Sequence, residues 1–215
     1  MAIQRHLENA PITEAVIDLR IQPTLDLGAL NNMLSSVRQE IRDRYPEQKE
    51  QHLFEGGFEI NDGQLIARPP SDMGIRGYIC KSSNGLQLVQ FRRDGFTFNR
   101  FKPYTSWVNV IAEAKGLWDM SFRKTWTSPE SVSRIAVRYI NHFSIQLPIS
   151  DFRDYLTAPP PVPESAPQAV SSFQTRVVVH DLERQLDANI TQVMERSTKR
   201  DFITIIIDID AYKSG

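Results

Sequence analysis

Hydrophobic and polar residues alternate along ITEAVIDLRI, residues 12–21. Ala15, Ile17, Leu19 and Ile21 fall on one parity, and Glu14, Asp18 and Arg20 fall on the other with Val16. A period of two predicts a strand with one face on a core, and Pro23 ends it. From Leu27 to Tyr45 the period becomes helical. Leu27, Leu30, Leu34, Val37 and Ile41 form one stripe, with Asp26 in place to cap it and Pro46 to stop it. Residues 47–73 carry only a weak signal: FEI and QLIA read as short strands around Asn61-Asp62-Gly63, and Pro69-Pro70 leads out of them.

GYICKSSNGLQLVQFRRDGFTFNRF, from Gly77, predicts a three-stranded meander, because Asn84-Gly85 and Asp94-Gly95 suit two-residue hairpin turns. With both turns so placed, Ser83 faces Leu86, Arg93 faces Phe96, Tyr78 lies opposite Phe91 and Phe91 opposite Phe98. Tyr78, Cys80, Val89, Phe91 and Phe98 then share an apolar face. Gln90, Arg92, Thr97 and Asn99 share the other, with no helix expected over it. A helix capped by Thr105 or Ser106 runs to about Phe122, showing Val108, Ile111, Ala112, Leu117 and Trp118.

After Ser128-Pro129-Glu130-Ser131 a long strand covers 132–147. Ile135, Val137, Tyr139, Phe143, Ile145 and Leu147 share a face interrupted by Asn141, which reads as a bulge or a buried amide with fixed partners. Arg134, Arg138 and His142 take the opposite face with Ala136 and Ile140. DFRDYL predicts a short helical turn at 151–156, and the proline-rich 158–167 an extended loop. FQTRVVVHDL, LDANITQVME and DFITIIIDIDAY predict three closing strands. The whole reads as one α+β domain, 1–215: an antiparallel-rich curved sheet with helices on one side. Its halves, 9–127 and 128–215, form two strand–helix–three-strand repeats, the second without its closing helix.

Composition narrows the chemistry. Among 215 residues, 25 Lys and Arg meet 26 Asp and Glu, and this balance argues against a dedicated nucleic-acid binder. A single cysteine, Cys80, excludes an internal disulfide and a cysteine-rich zinc site. No apolar stretch has the length of a signal peptide or a membrane span, so the expectation is a soluble cytoplasmic protein without a membrane partner.

No phosphate-binding loop, nucleophile elbow or His-Glu-x-x-His motif is present, and no cofactor is expected. The polar face of Gln90, Arg92, Thr97 and Asn99 is the first candidate site. Arg134, Arg138 and His142 join it if the long strand lies beside Asn99, giving arginines for bidentate contacts to an anion. Arg92, Arg93, Arg100 and Lys102 among the aromatics of 91–107 offer an alternative, a single-stranded nucleic-acid surface. Asp208 and Asp210, about 7 Å apart on one strand face, offer a third, a Mg²⁺-dependent hydrolase. On their parity a solvated strand end competes with that reading.

NAPITEAVIDLRI, LQLVQFRRDGFTFNRFKPYTSW, VSRIAVRYINHFSI and DYLTAPPPVP occur in this order. Together they resemble a family of sporadically distributed bacterial and archaeal proteins with no established activity. The resemblance implies no catalytic residues. It does imply an accessory role and a C-terminal helix beyond the last strand, absent here or cut away. The expectation is a non-enzymatic accessory protein whose partner is another protein, a second copy of the chain, or a small polar or anionic ligand.

Overall fold

The computed structural model describes residues 7, 9–23, 25–61, 64–121 and 132–215, leaving aside the side chains of 58–61, 64–66, 68 and 121. The elements run β1 (Ile12–Ile21), α1 (Leu27–Glu40), β2 (Glu47–Asn61), β3 (Gln64–Lys81), β4 (Gln87–Arg92), β5 (Gly95–Phe101) and α2 (Trp107–Ser121). They continue with β6 (Val132–Gln146), a 3-10 turn (Phe152–Asp154), β7 (Phe173–Asp181), β8 (Leu186–Arg196) and β9 (Phe202–Ser214). The strands form one sheet in the order β2-β3-β4-β5-β1-β6-β9-β8-β7. The architecture is α+β with a largely antiparallel sheet. In this order β1 neighbours β5, and β6 neighbours β9. Among the described residues no helix is long and apolar enough to cross a membrane.

Two compact units divide these elements. One, the helical unit, gathers the described residues of Ile17–Arg100 and Ser106–Ile135, with Gly215. The other, the C-terminal unit, gathers those of Met1–Val16, Phe101–Thr105 and Ala136–Ser214. The division passes through β1 and β6.

In the helical unit, Ile17, Ile21, Val89, Phe91, Phe96 and Phe98 are buried together with Tyr78 and Cys80. Both helices cover this face. Arg38 of α1 stacks over the Tyr78 ring at 4.7 Å, and Trp118 of α2 meets Phe96 edge-on at 5.8 Å. Asp26 caps α1, its carboxylate accepting from Ala29 N at 2.9 Å, and Leu30, Met33, Leu34 and Val37 bury its apolar stripe. Leu27, expected in that stripe, is exposed. The buried side of α2 is also rotated from the expected one: Val110, Ala114 and Leu117 face inward, whereas Val108 and Ile111 are exposed.

Two further readings change. Residues 47–61 and 64–73 form most of a long hairpin, β2 with β3, in place of two short strands, and Asp62-Gly63 of the expected turn lie outside the described residues. Its register shifts three times, one shift setting Pro69-Pro70 between the Glu55–Ser71 and Gly57–Arg68 pairs. Prolines are tolerated in a strand at such an irregularity. Between the helices there are therefore four strands, β2 to β5, where two short strands and a three-stranded meander were expected.

The β3–β4 register is the expected one, Tyr78 opposite Phe91. The β4–β5 register is moved by two residues: Phe91 pairs with Phe96, Val89 with Phe98 and Arg92 with Gly95. The turn is thus Arg93-Asp94, and the faces keep their parity. Gly95 is not a turn glycine; a Cβ there would lie 2.4 Å from the Leu19 carbonyl oxygen. It is small because β1 passes over it.

The C-terminal unit has its own core, Ile145, Leu156, Met194, Ile203 and Ile205, closed by Phe152 against Phe173 at 5.6 Å. The 3-10 turn and β7–β9 fall where the sequence places them. The β6 face is only partly buried: Ile145 is inside, whereas Ile135, Phe143 and Leu147 are exposed. Asn141 donates to the Ile207 carbonyl at 3.0 Å, which makes it a tethered amide. Ser128-Pro129-Glu130-Ser131 lies outside the described residues.

Candidate functional site

The face expected to lie open around Gln90, Arg92, Thr97 and Asn99 is closed. Arg92 and Thr97 are 5% and 6% exposed, the two buried polar residues of the described core. They are covered because β1 lies beside β5, with Ile21 N donating to the Asp94 carbonyl at 3.0 Å. This pairing delivers Asp18, from the polar parity of β1, to the middle of the cluster. Thr97 Oγ1 donates to Asp18 Oδ1 at 2.6 Å. Arg92 Nη2 donates to the same oxygen at 3.2 Å, and Arg92 Nη1 donates to Thr97 at 2.8 Å and to Gln90 Oε1 at 3.2 Å. Asp18 Oδ2 accepts from Arg20 Nε at 3.0 Å and from Arg134 Nη1 at 3.2 Å. Asp94, in the β4–β5 turn, accepts from Arg76 Nη2 at 2.8 Å and stands 3.6 Å from Arg92 Nε. That Nε is buried and makes no hydrogen bond. Asn99 lies half-buried on the same strand parity, opposite Leu88.

Four guanidiniums, from Arg20, Arg76, Arg92 and Arg134, therefore surround two carboxylates. Burial alone would raise the pKa of Asp18; the Thr97 hydroxyl, Arg20 and Arg92 outweigh it and hold the carboxyl below its ordinary value. Asp94 behaves likewise, with Arg76 as the first opposing partner. A carboxylate with a depressed folded pKa adds stability above its unfolded value of 3.8 and loses it as pH falls through the folded value. Acid unfolding followed by circular dichroism is expected to begin below about pH 4. Asp94→Asn should flatten the pH dependence there. An unchanged acid limb would show that the Asp94 pair adds nothing to it.

The other candidates fall elsewhere. Arg138 and His142 belong to the C-terminal unit. Arg138 grips Asp208 through Nε at 2.7 Å and through Nη2, which occupies the carboxylate that the metal reading needs. Asp210, opposite Asn189 on β8, also has an interaction of its own. Among the described residues no group of three metal-binding side chains forms. His142 lines a groove of about 660 Å³ with Phe143, Asp154, Tyr155 and Leu156, a volume within the range of ligand sites. No hydrogen bond links His142 to Asp154 to make an acid–base pair.

The nucleic-acid alternative loses three of its rings, since Phe91, Phe96 and Phe98 are buried, whereas Trp107 is exposed. Lys102 is exposed, and the other three cations scatter. Arg92 is inside the network, Arg93 reaches Asn31 of α1 at 3.1 Å, and Arg100 reaches Glu113 of α2 at 3.6 Å.

Sequence reasoning found Gln90, Arg92 and Thr97 but missed Asp18, Arg20, Arg76 and Asp94. The available signal was the charged parity of β1, which pairs Asp18 and Arg20 on the side away from the core. Compared with known proteins, the chain matches no family model and no curated protein.

Proposed function

We propose that this is a non-enzymatic binding protein that holds a small multiply charged anion, a phosphoryl or dicarboxylate group, at the arginine cluster of the helical unit. The observation that carries this reading is a buried Arg92, its Nε without a hydrogen bond, that shares Asp18 with Arg20 and Asp94 with Arg76. Each guanidinium has five donors in a rigid fork matched to such groups, and the bonds described above use only part of that capacity at Arg20 and Arg76. Arg20 and Arg76 have side chains 41% and 40% exposed, so they can turn toward a ligand without unpacking the core. Arg92 and Asp18 form the fixed floor beneath them. The cluster supplies attraction and shape, and its one hydroxyl, Thr97, is held by Asp18 and Arg92 at the buried floor. An accessory role through a protein partner presenting such an anion is the same chemistry on a larger ligand.

The test is a thermal-shift and calorimetric titration with inorganic phosphate and with citrate, at ionic strength held constant by sodium chloride. Binding to the native state alone raises stability by about 2.7 kcal/mol when ligand is at a hundred times its Kd. The expected result is a saturable rise in Tm that Arg20→Ala/Arg76→Ala abolishes while the variant remains folded. Equal responses to chloride and to phosphate, or an unaltered response in the double variant, would remove the anion site.

A further inference from the structure

The two edges of the sheet are built differently. At one edge, β2 carries the devices that keep an edge from pairing: three register shifts against β3, Lys49, several glutamates and the Gly56-Gly57 pair. At the other, β7 carries none of them. Its nine residues, FQTRVVVHD, contain no proline, glycine or lysine, and it pairs with β8 without a break from Phe173–Met194 to Asp181–Leu186. Val177, Val178 and Val179 lie in its middle, 54%, 43% and 46% exposed. Consecutive strand residues point to opposite faces, so both faces are bare there. The charged groups keep to the flanks, where Arg176 is held by Asn189, His180 by Asp187 and Asp181 by Arg184.

We propose that β7 pairs with the β7 of a second copy of this chain, antiparallel about a two-fold axis at Val178. The occupant follows from two features. First, one open edge and one blunted edge allow a closed pair but no continuing stack, which is how a two-fold dimer terminates. Second, the strand is complementary to itself at that register. Val178 meets Val178 of the partner subunit, Val177 meets Val179 of the partner subunit, and Arg176 lies across from the partner's His180 with no carboxylate opposing a carboxylate. Cross-strand pairs of β-branched residues stabilise such ladders, and β7, last in the strand order, gains a neighbouring strand.

Sedimentation velocity across a wide concentration range tests this with the full chain. Wild type should run as a dimer that dissociates on dilution. Val178→Lys and Val178→Asp place like charges across the axis, so each alone should be a folded monomer by sedimentation and circular dichroism. Mixed in equal amounts, the two should recover a dimer. A monomeric wild type, including one that pairs only with an added strand-forming peptide, overturns the proposal. A dimer that persists in either single variant, or a mixture that stays monomeric, overturns it as well.

Discussion

Asp18→Ala will destabilise the protein by about 3–5 kcal/mol, the range for removing one partner of a buried ion pair. Asp18 is the acceptor for Thr97, Arg92, Arg20 and Arg134 at once, and Arg92 is 5% exposed. Without the carboxylate, a buried guanidinium keeps only neutral partners and the more distant Asp94. Urea unfolding monitored by tryptophan fluorescence gives the number. Arg92→Met in the Asp18→Ala background should recover part of the loss, because it removes the stranded charge and leaves an apolar chain of similar length. A loss below about 1 kcal/mol, the level of an exposed pair, would mean that the cluster is screened by water.

Gly77→Ala is the second large effect. Gly77 sits opposite Arg92 on the β3–β4 ladder. A Cβ there would lie 2.2 Å from the Phe91 carbonyl oxygen and 2.9 Å from Arg92 Cα. Both are backbone atoms that no rotamer change can move. Overpacking of this kind costs typically about 1–3 kcal/mol and sometimes more, and Gly77→Ala belongs at the top of that range. The same displacement would pull Arg92 off Asp18 and weaken any anion response. Gly116→Ala on α2, where a Cβ meets nothing within 4 Å, is the control and should gain about 1 kcal/mol of helix propensity. Equal urea midpoints for the two variants would contradict the close contact at Gly77.

The parity of β1, β4, β5 and β9 was legible because each has one buried face and one polar face, and alternation records that directly. The distal part of the β2–β3 hairpin was not legible. Leu53, Phe54 and Met73 are exposed there, so no buried face imposes a period, and Pro69-Pro70 suggests an end where the strand merely bulges. The Asp94-Gly95 pair misled for a different reason. Turn chemistry and close packing both select glycine, and only the neighbouring β1 shows that packing selected this one.

The candidate site divides in the same way. Gln90, Arg92 and Thr97 sit together because hairpin register puts them there, and register is local. Asp18 and Arg134 arrive through pairing of strands far apart in sequence, which no local pattern encodes. Arg138 and His142 shared a sequence parity with Arg134, but Arg138 pairs with Asp208 and His142 lines the groove of the C-terminal unit.

The pairing of β1 with β5 and of β6 with β9 has a consequence for synthesis. Ile21 bonds to Asp94, and Thr13 to Lys102, so β1 leaves the ribosome 73 to 89 residues ahead of its partner. At roughly 5–20 residues per second, that is a wait of about 4–18 s. For that time an apolar strand face, Ala15, Ile17, Leu19 and Ile21, has α1 to pack on but neither of its neighbouring strands. β6 waits in turn for β9. The nascent chain is thus most open to capture by a chaperone or by its neighbours on the same message twice, once per half.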